Sequence, residues 1–370
     1  MNTFFRRRDL GSGLGKLLAT LVFISCGMFV ARADDGGGAA EDIVTLEPID
    51  EPLGEEDRQV IDEIFGDPVL RDSEAPETRP PEPPVLSELA QGVLGEPEVL
   101  EDAGVLLYRT QLPGVSQLWI YVPREMPPTA KVPLVLISPA GSEGYHGMDL
   151  TPADQPEHIP YAQAGMVTAA FSTPGSLPDG WTEEQRREAV NSFHASGKGV
   201  RTARGVMNYV VRLFPQINPH MVFAAGHSSA GSLALTLGAY QSSLRGILAY
   251  APSTNLRKEL GELAIEIFDN QIPGFAAFTR LSSPLSLAKR ITSPVFIYQA
   301  RDDRVIDPAG TTEFVEKLRV SNPSVTFLLE PEGGHYQGML DQGIPAGIQW
   351  IDDLTNWRDL PANQMAEKQE

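Results

Sequence analysis

The sequence predicts a doubly wound α/β domain with a mostly parallel sheet, preceded by a disordered acidic tether. Three observations carry that expectation. Short apolar runs without polar alternation recur at 134–137, 167–171, 222–225, 246–250, 295–298 and 325–329, too short for helices and suited to strands buried on both faces. Between them lie stretches with helical patterning, roughly 182–214, 229–240, 311–320 and 347–357, so strands and helices alternate as in βαβ units. The charge is uneven as well. Of a formal net charge of −20, residues 34–101 hold −18, while residues 1–33 carry +4 and residues 102–370 carry −6.

The first 33 residues read as an address. Arg6, Arg7 and Arg8 precede the apolar run 17–30 and then Ala31-Arg32-Ala33, the three parts of a secretory signal peptide. The run is shorter than the roughly 20 residues that span a bilayer as a helix, so no stable membrane span is expected after cleavage, and the protein is expected to be secreted or periplasmic. A retained anchor, lipidation at Cys26 and twin-arginine export through Arg7-Arg8-Asp9-Leu10 are the alternatives. Cys26 is the only cysteine, so no internal disulfide forms. Residues 34–97, rich in Pro, Gly and acids, cannot bury enough apolar surface to offset the entropy of ordering and are expected to be a linker. One island, Val60, Ile61, Ile64 and Phe65, has the spacing of a short amphipathic helix. Residues 98–360 form the expected catalytic domain, and 361–370 a polar tail.

The domain opens with two strands, 105–108 and 118–122, joined through Pro113-Gly114 as an antiparallel pair. Its most informative stretch is the run from Met221 through Gly226-His227-Ser228-Ser229-Ala230-Gly231, which reads strand, tight turn, helix. A nucleophile elbow needs small residues two before and two after its serine, and Gly226 and Ala230 flank Ser228 in that way. Ser229 is the rival register, but it would put His227 at the crowded position. A serine hydroxyl needs a base, and the base an orienting carboxylate. Asp302 and Asp303 follow the strand 295–298, and Gly333-Gly334-His335 follow the strand 325–329. Ser…Asp…His, each at the carboxyl end of a strand, is the order of the α/β-hydrolase fold. His227 would lie beside the nucleophile, while His146, His158, His194 and His220 read as surface or supporting groups.

The segment from Ser283-Pro284 to Asp302-Asp303-Arg304-Val305 resembles the catalytic domain of the prolyl oligopeptidase family. There a Ser-Pro precedes the strand and the first Asp of an Asp-Asp-x-Val turn is catalytic. The resemblance covers roughly residues 100–357 and implies Asp302 as the triad acid, with Asp303 an outward neighbour or cap. Two departures matter. Family peptidases carry a large β-propeller before this domain, which residues 34–101 cannot build, and Gln299-Ala300 stands where the family has His-Gly. The oxyanion donors are expected to be the Ser229 N–H, at the start of a helix, and Ala140 or Gly141 in the loop 138–144, since Pro139 has no N–H. Residues 255–287 read as a lid or substrate wall, with Ile265, Ile267, Phe268, Ile272, Phe275 and Phe278 forming either an apolar acyl-side surface or an ordinary core.

Other chemistries are excluded. So acidic a chain repels a phosphate backbone. Lys198 sits in Ser196-Gly197-Lys198-Gly199, which lacks the earlier glycine, the following Ser/Thr and the preceding strand of a P-loop. No metal-ligand spacing occurs, and neither metal nor cofactor is expected. The expected function is an exported serine hydrolase that cleaves carboxylic esters through Ser228, His335 and Asp302, acting on a small-molecule ester or short peptide. A propeller-free peptidase and a non-catalytic binding protein on the same fold are the alternatives.

Overall fold

The structure, a computed structural model, describes residues 94–127, 129–142 and 144–358. The expected signal peptide with Cys26, most of the tether with its 60–65 helix, and the polar tail lie outside the described residues.

Among the described residues nine strands form one sheet: β1 (Glu98–Leu100), β2 (Val105–Leu112), β3 (Val115–Pro123), β4 (Val132–Ile137), β5 (Val167–Phe171), β6 (Ile217–His227), β7 (Gly246–Tyr250), β8 (Val295–Ala300) and β9 (Val325–Glu330). Their order is β1-β2-β3-β5-β4-β6-β7-β8-β9. The expected antiparallel entry is present: β1 pairs β2, β2 pairs β3 and β3 pairs β5 antiparallel. From β5 and β4 onward every pairing is parallel. Strands β5 and β7 coincide with their apolar runs, whereas β4, β6, β8 and β9 extend beyond theirs, by most in β6, which starts at Ile217, because ladder hydrogen bonds can continue past the apolar stretch.

Among the described residues ten α-helices accompany the strands: α1 (Gln155–Gln163), α2 (Glu183–Ala195), α3 (Val200–Leu213), α4 (Ser228–Tyr240), α5 (Leu256–Leu260), α6 (Glu262–Asp269), α7 (Phe275–Leu281), α8 (Pro284–Leu287), α9 (Pro308–Ser321) and α10 (Ile344–Thr355). Alternate residues of β4 feed two cores. Leu134 and Leu136 join Val190, Val206, Leu233 and Phe314 on one face, while Val135 and Ile137 join Tyr161, Ile344 and Ile351 on the other. The sheet is thus covered on both sides, as doubly wound folds are. Each fully buried side chain such as Phe223 or Phe314 contributes about 1.5–3 kcal/mol by leaving water.

Two helices differ from expectation. The single stretch 182–214 is α2 and α3, divided at Ser196–Gly199, where Gly197, Lys198 and Gly199 all take positive φ (61°, 60° and 86°). That turn drives the Lys198 side chain into the core, where Nζ donates to Ser232 Oγ and to the Ser282 carbonyl. Helix α1 was not expected. Its sequence holds two prolines, a glutamate and a histidine, yet Thr151 and Asp154 form a capping box ahead of it. Pro156 sits in the first turn, where an N–H is not needed.

Candidate active site

Strand β6 ends at His227 and helix α4 begins at Ser228 with no loop between them. Ser228 takes φ +53°, a left-handed conformation that costs a non-glycine residue roughly 1–3 kcal/mol. Close packing across the turn holds it there. A Cβ on Gly226 would lie 2.4 Å from the Ala230 carbonyl, and one on Gly231 would lie 2.9 Å from the Gly226 oxygen. The Ser228 carbonyl accepts the Ser253 N–H at 3.3 Å, tying the turn to the segment after β7. Ser228 is half-buried. Ser229 is buried and its hydroxyl accepts the Gly141 N–H at 3.1 Å. The strained turn therefore presents Ser228, not the rival Ser229.

The expectation for the acid needs correction. The carboxylate bonded to His335 is Asp303, with Oδ2 2.8 Å from Nδ1. Asp302 is exposed and instead accepts the Gly334 N–H at 2.8 Å. Turn length explains the difference. After β8 ends at Ala300 the chain folds back so that the Asp303 N–H returns to the Ala300 carbonyl at 3.4 Å. This leaves Asp302 at the apex and turns Asp303 under it. Asp303 Oδ2 also accepts from Gln299 Nε2 at 2.9 Å, and Oδ1 accepts the N–H groups of Val305 and Ile306 at 2.8 and 3.1 Å. Burial pushes this carboxyl upward, but the His335 bond and the Val305 and Ile306 N–H groups outweigh it and leave the pKa below its usual value. Gln299, the departure noted in the sequence, is itself fixed by Thr311 Oγ1 at 2.9 Å.

The candidate base, His335, follows β9. Gly334 takes φ +61°, and a Cβ on Gly333 would lie 2.6 Å from the Tyr298 hydroxyl, so these two glycines let the loop close over β8. Of the two oxyanion candidates in the 138–144 loop, Gly141 has its N–H engaged by Ser229 Oγ, which leaves Ala140. Ser229 lies in the first turn of α4, where backbone N–H groups lack helical acceptors.

The choice left open for residues 255–287 falls to the core, and the reading of His158 as a surface or supporting group is corrected. Ile265, Phe268, Ile272, Phe275 and Phe278 of the 255–287 segment are buried, and the last four belong to the main core cluster, so they are packing rather than an open acyl-side surface. Ile267 is half-buried. His158 is a core residue, its Nδ1 3.3 Å from the Tyr121 hydroxyl, and burial lowers its pKa to about 3. His194 packs edge-on against Phe278 and burial lowers its pKa too. His227, expected beside the nucleophile, has its Nε2 2.9 Å from the His335 carbonyl oxygen. Among the described residues no group of three or more His, Cys, Asp or Glu side chains is placed to hold a metal ion, and no helix is long and apolar enough to cross a membrane.

The model of the prolyl oligopeptidase family matches residues 157–359, more than half of the chain. The chain belongs to the prolyl oligopeptidase family. It is accordingly a serine hydrolase of α/β-hydrolase fold, and the family match spans the strained serine, the Asp303 turn and the His335 loop. No curated protein sequence matches it. Among solved structures, oligopeptidase B from Leishmania major shares 14% identity with a TM-score of 0.52, covering 70% of this chain and 37% of that one. The Thermogutta terrifontis esterase Est2 shares 18% identity with a TM-score of 0.50, covering 69% of this chain and 96% of that one. Acetyl xylan esterase from Paenibacillus sp. R4 shares 15% identity with a TM-score of 0.51, covering 72% and 92%. At these identities the likeness is one of fold.

Proposed function

We propose that this member of the prolyl oligopeptidase family is an exported carboxylic ester hydrolase working through Ser228, His335 and Asp303. One observation carries the reading: a serine on a left-handed strand-to-helix turn shares the strand-end rim with a histidine whose Nδ1 is bonded to a buried carboxylate. Because a carboxylate only accepts, His335 Nδ1 carries the proton and Nε2 is the free base. His335 Nε2 takes the Ser228 proton as Oγ attacks the acyl carbon. Asp303 holds the ring and balances the imidazolium that forms. The tetrahedral oxyanion is stabilised by the N–H groups of Ser229 and Ala140. Collapse expels the alcohol, which receives the proton from His335, and a water activated by the same imidazole releases the acid and restores Ser228.

Esters are favoured over amides on two grounds. Two of the fold neighbours described above are esterases, and this chain aligns along almost their whole length but along little more than a third of the oligopeptidase. Amide cleavage also draws more heavily on binding energy to orient the scissile bond. A peptidase is the second reading, favoured by the family to which the chain belongs. Export rests on Arg6–Arg8, the apolar run 17–30 and the Ala31-Arg32-Ala33 site, and predicts a mature chain starting at Asp34.

Turnover of p-nitrophenyl esters of graded chain length, measured beside dipeptide anilides, tests the assignment. Short-chain esters should be cleaved at least about 100-fold faster by kcat/KM. Anilide hydrolysis at the ester rate, selective for proline, would establish the peptidase instead.

A further inference from the structure

We propose that His227 and Glu157 form a second buried couple that holds the main chain of the His335 loop, which makes His227 a positioning residue for the base. The inference rests on the reading of Ser228 and His335 given above.

His227 is the last residue of β6 and directly precedes Ser228 in the chain; it is 5% exposed. Its Nε2 lies 2.9 Å from the His335 carbonyl oxygen. A carbonyl only accepts, so Nε2 carries a proton, and in a neutral ring Nδ1 is then bare. Facing Nδ1 at 3.8 Å is Oε1 of Glu157, a buried residue of α1. The His335 loop is therefore held at three points. Asp302 accepts the Gly334 N–H, Asp303 accepts the imidazole Nδ1–H, and His227 donates its Nε2–H to the His335 carbonyl. The first two ties come from the turn after β8. The third comes from the strand that carries the nucleophile, one residue ahead of it, so this bond sets the spacing between Ser228 and the base. Near-attack geometry tolerates little error, since a misplacement of about 1 Å costs roughly 100-fold in rate.

The couple must also be uncharged. The rings of His227 and His335 lie 4.5 Å apart, and an imidazolium at His227 would oppose the charge His335 acquires when it takes the serine proton. Burial and the His335 charge lower the His227 pKa to about 4. Burial and the neighbouring Asp154 carry Glu157 up to about 8. At neutral pH a carboxylic acid thus faces a neutral imidazole. The remaining groups that face the pair are Asp303 from the acid turn, Tyr336 beside His335, whose ring sits edge-on to His227 at 5.6 Å, Tyr161 on α1 and Tyr250 on β7.

The test compares His227→Leu, His227→Gln and His227→Asn in the full chain, with p-nitrophenyl acetate as substrate and a fluorophosphonate as label for Ser228. Glutamine places an amide nitrogen where Nε2 stands, whereas asparagine is too short to reach. Leucine and asparagine should lower kcat by about 10- to 100-fold with KM within twofold, and glutamine should recover most of the loss. Labelling should slow in the same order and still reach full stoichiometry. Glu157→Gln should remove a loss of rate that the wild type shows above about pH 8. If leucine does not fold, the contrast between glutamine and asparagine decides. Equal rates for glutamine and asparagine, a loss confined to KM, or an alkaline limb that survives in Glu157→Gln would overturn the proposal. A Ser228→Ala enzyme that still turns over would instead sink the site assignment beneath it, so the two failures are told apart.

Discussion

The turn that presents the serine and the turn that presents the acid lie at the ends of β6 and β8, one strand apart, and they are specified in different ways. At the serine the constraint is backbone against backbone. Gly226 approaches Ala230 so closely that no side chain fits, so the residue types are dictated at fixed offsets and can be read from the sequence. At the acid the constraint is where a carboxylate points. Asp302 and Asp303 are chemically identical and adjacent, and only the length of the turn after Ala300 decides which one folds under toward His335. Backbone constraints are written in residue type; directional ones are not.

The sharpest test of that contrast is to exchange the two aspartates in turn. Asp303→Asn keeps the shape but removes the charge and the tautomer control over His335, and kcat should fall by about 10⁴-fold with little change in KM. Asp302→Asn loses only an exposed charge that caps Gly334, and activity should stay within about tenfold of the wild type. Steady-state ester hydrolysis reads both. The reverse ranking would restore the family-based expectation and show that the turn after β8 rearranges during catalysis.

A second contrast sets Asp303 against Glu157. Both are buried carboxyls, and they are shifted in opposite directions. Asp303 is desolvated, but the His335 bond and two backbone N–H groups favour its anion. Glu157 has burial and Asp154 acting together, and its pKa rises from 4.5 to about 8. The stability consequences are opposite. Asp303 binds its proton less tightly when folded, so it stabilises the fold above its usual titration range, and that contribution is lost as pH falls through the folded pKa. Glu157 binds its proton more tightly when folded, so its contribution is complete below about pH 4.5 and is lost as pH rises through about 8. Chemical denaturation across that window should show the wild type losing a few kcal/mol relative to Glu157→Gln. Parallel curves for the two proteins would mean that Glu157 is ionised in the folded state.

The same distinction explains what else was legible. The central parallel strands were readable because burial on both faces leaves unbroken apolar runs. The edge strand β1 has only three residues, two of them exposed, and carries no such signature. Helix α1 was missed because its weak apolar pattern is interrupted by Pro156 and Pro160, and its capping box at Thr151 and Asp154 uses an aspartate where the usual pattern has Glu or Gln. That omission hid Glu157 and with it the partner of His227. The break at Lys198 was visible as Gly197-Lys198-Gly199, but a lysine is rarely buried, and nothing local announces that Ser232 and Ser282 will receive it. In residues 255–287 the apolar side chains were found correctly; their direction, toward the core, depends on packing that no short stretch of sequence encodes.

A small effect is also expected at Ser229, where the two serines of the elbow are weighed against each other. Its hydroxyl makes one described contact that bears on chemistry, accepting the Gly141 N–H at 3.1 Å. The oxyanion role proposed for Ser229 belongs to its backbone N–H, which Ser229→Ala retains. Removing the hydroxyl frees the 138–144 loop from one tie, and a single neutral hydrogen bond is worth about 0.5–1.5 kcal/mol, so kcat should fall roughly 2- to 12-fold. KM should hardly move, because the loop acts on the oxyanion more than on the bound ester. The fluorophosphonate should still label Ser228 fully, at a slower rate. A loss of several orders of magnitude together with loss of labelling would return Ser229 to the role of nucleophile and turn the left-handed strain at Ser228 into a property of the turn alone.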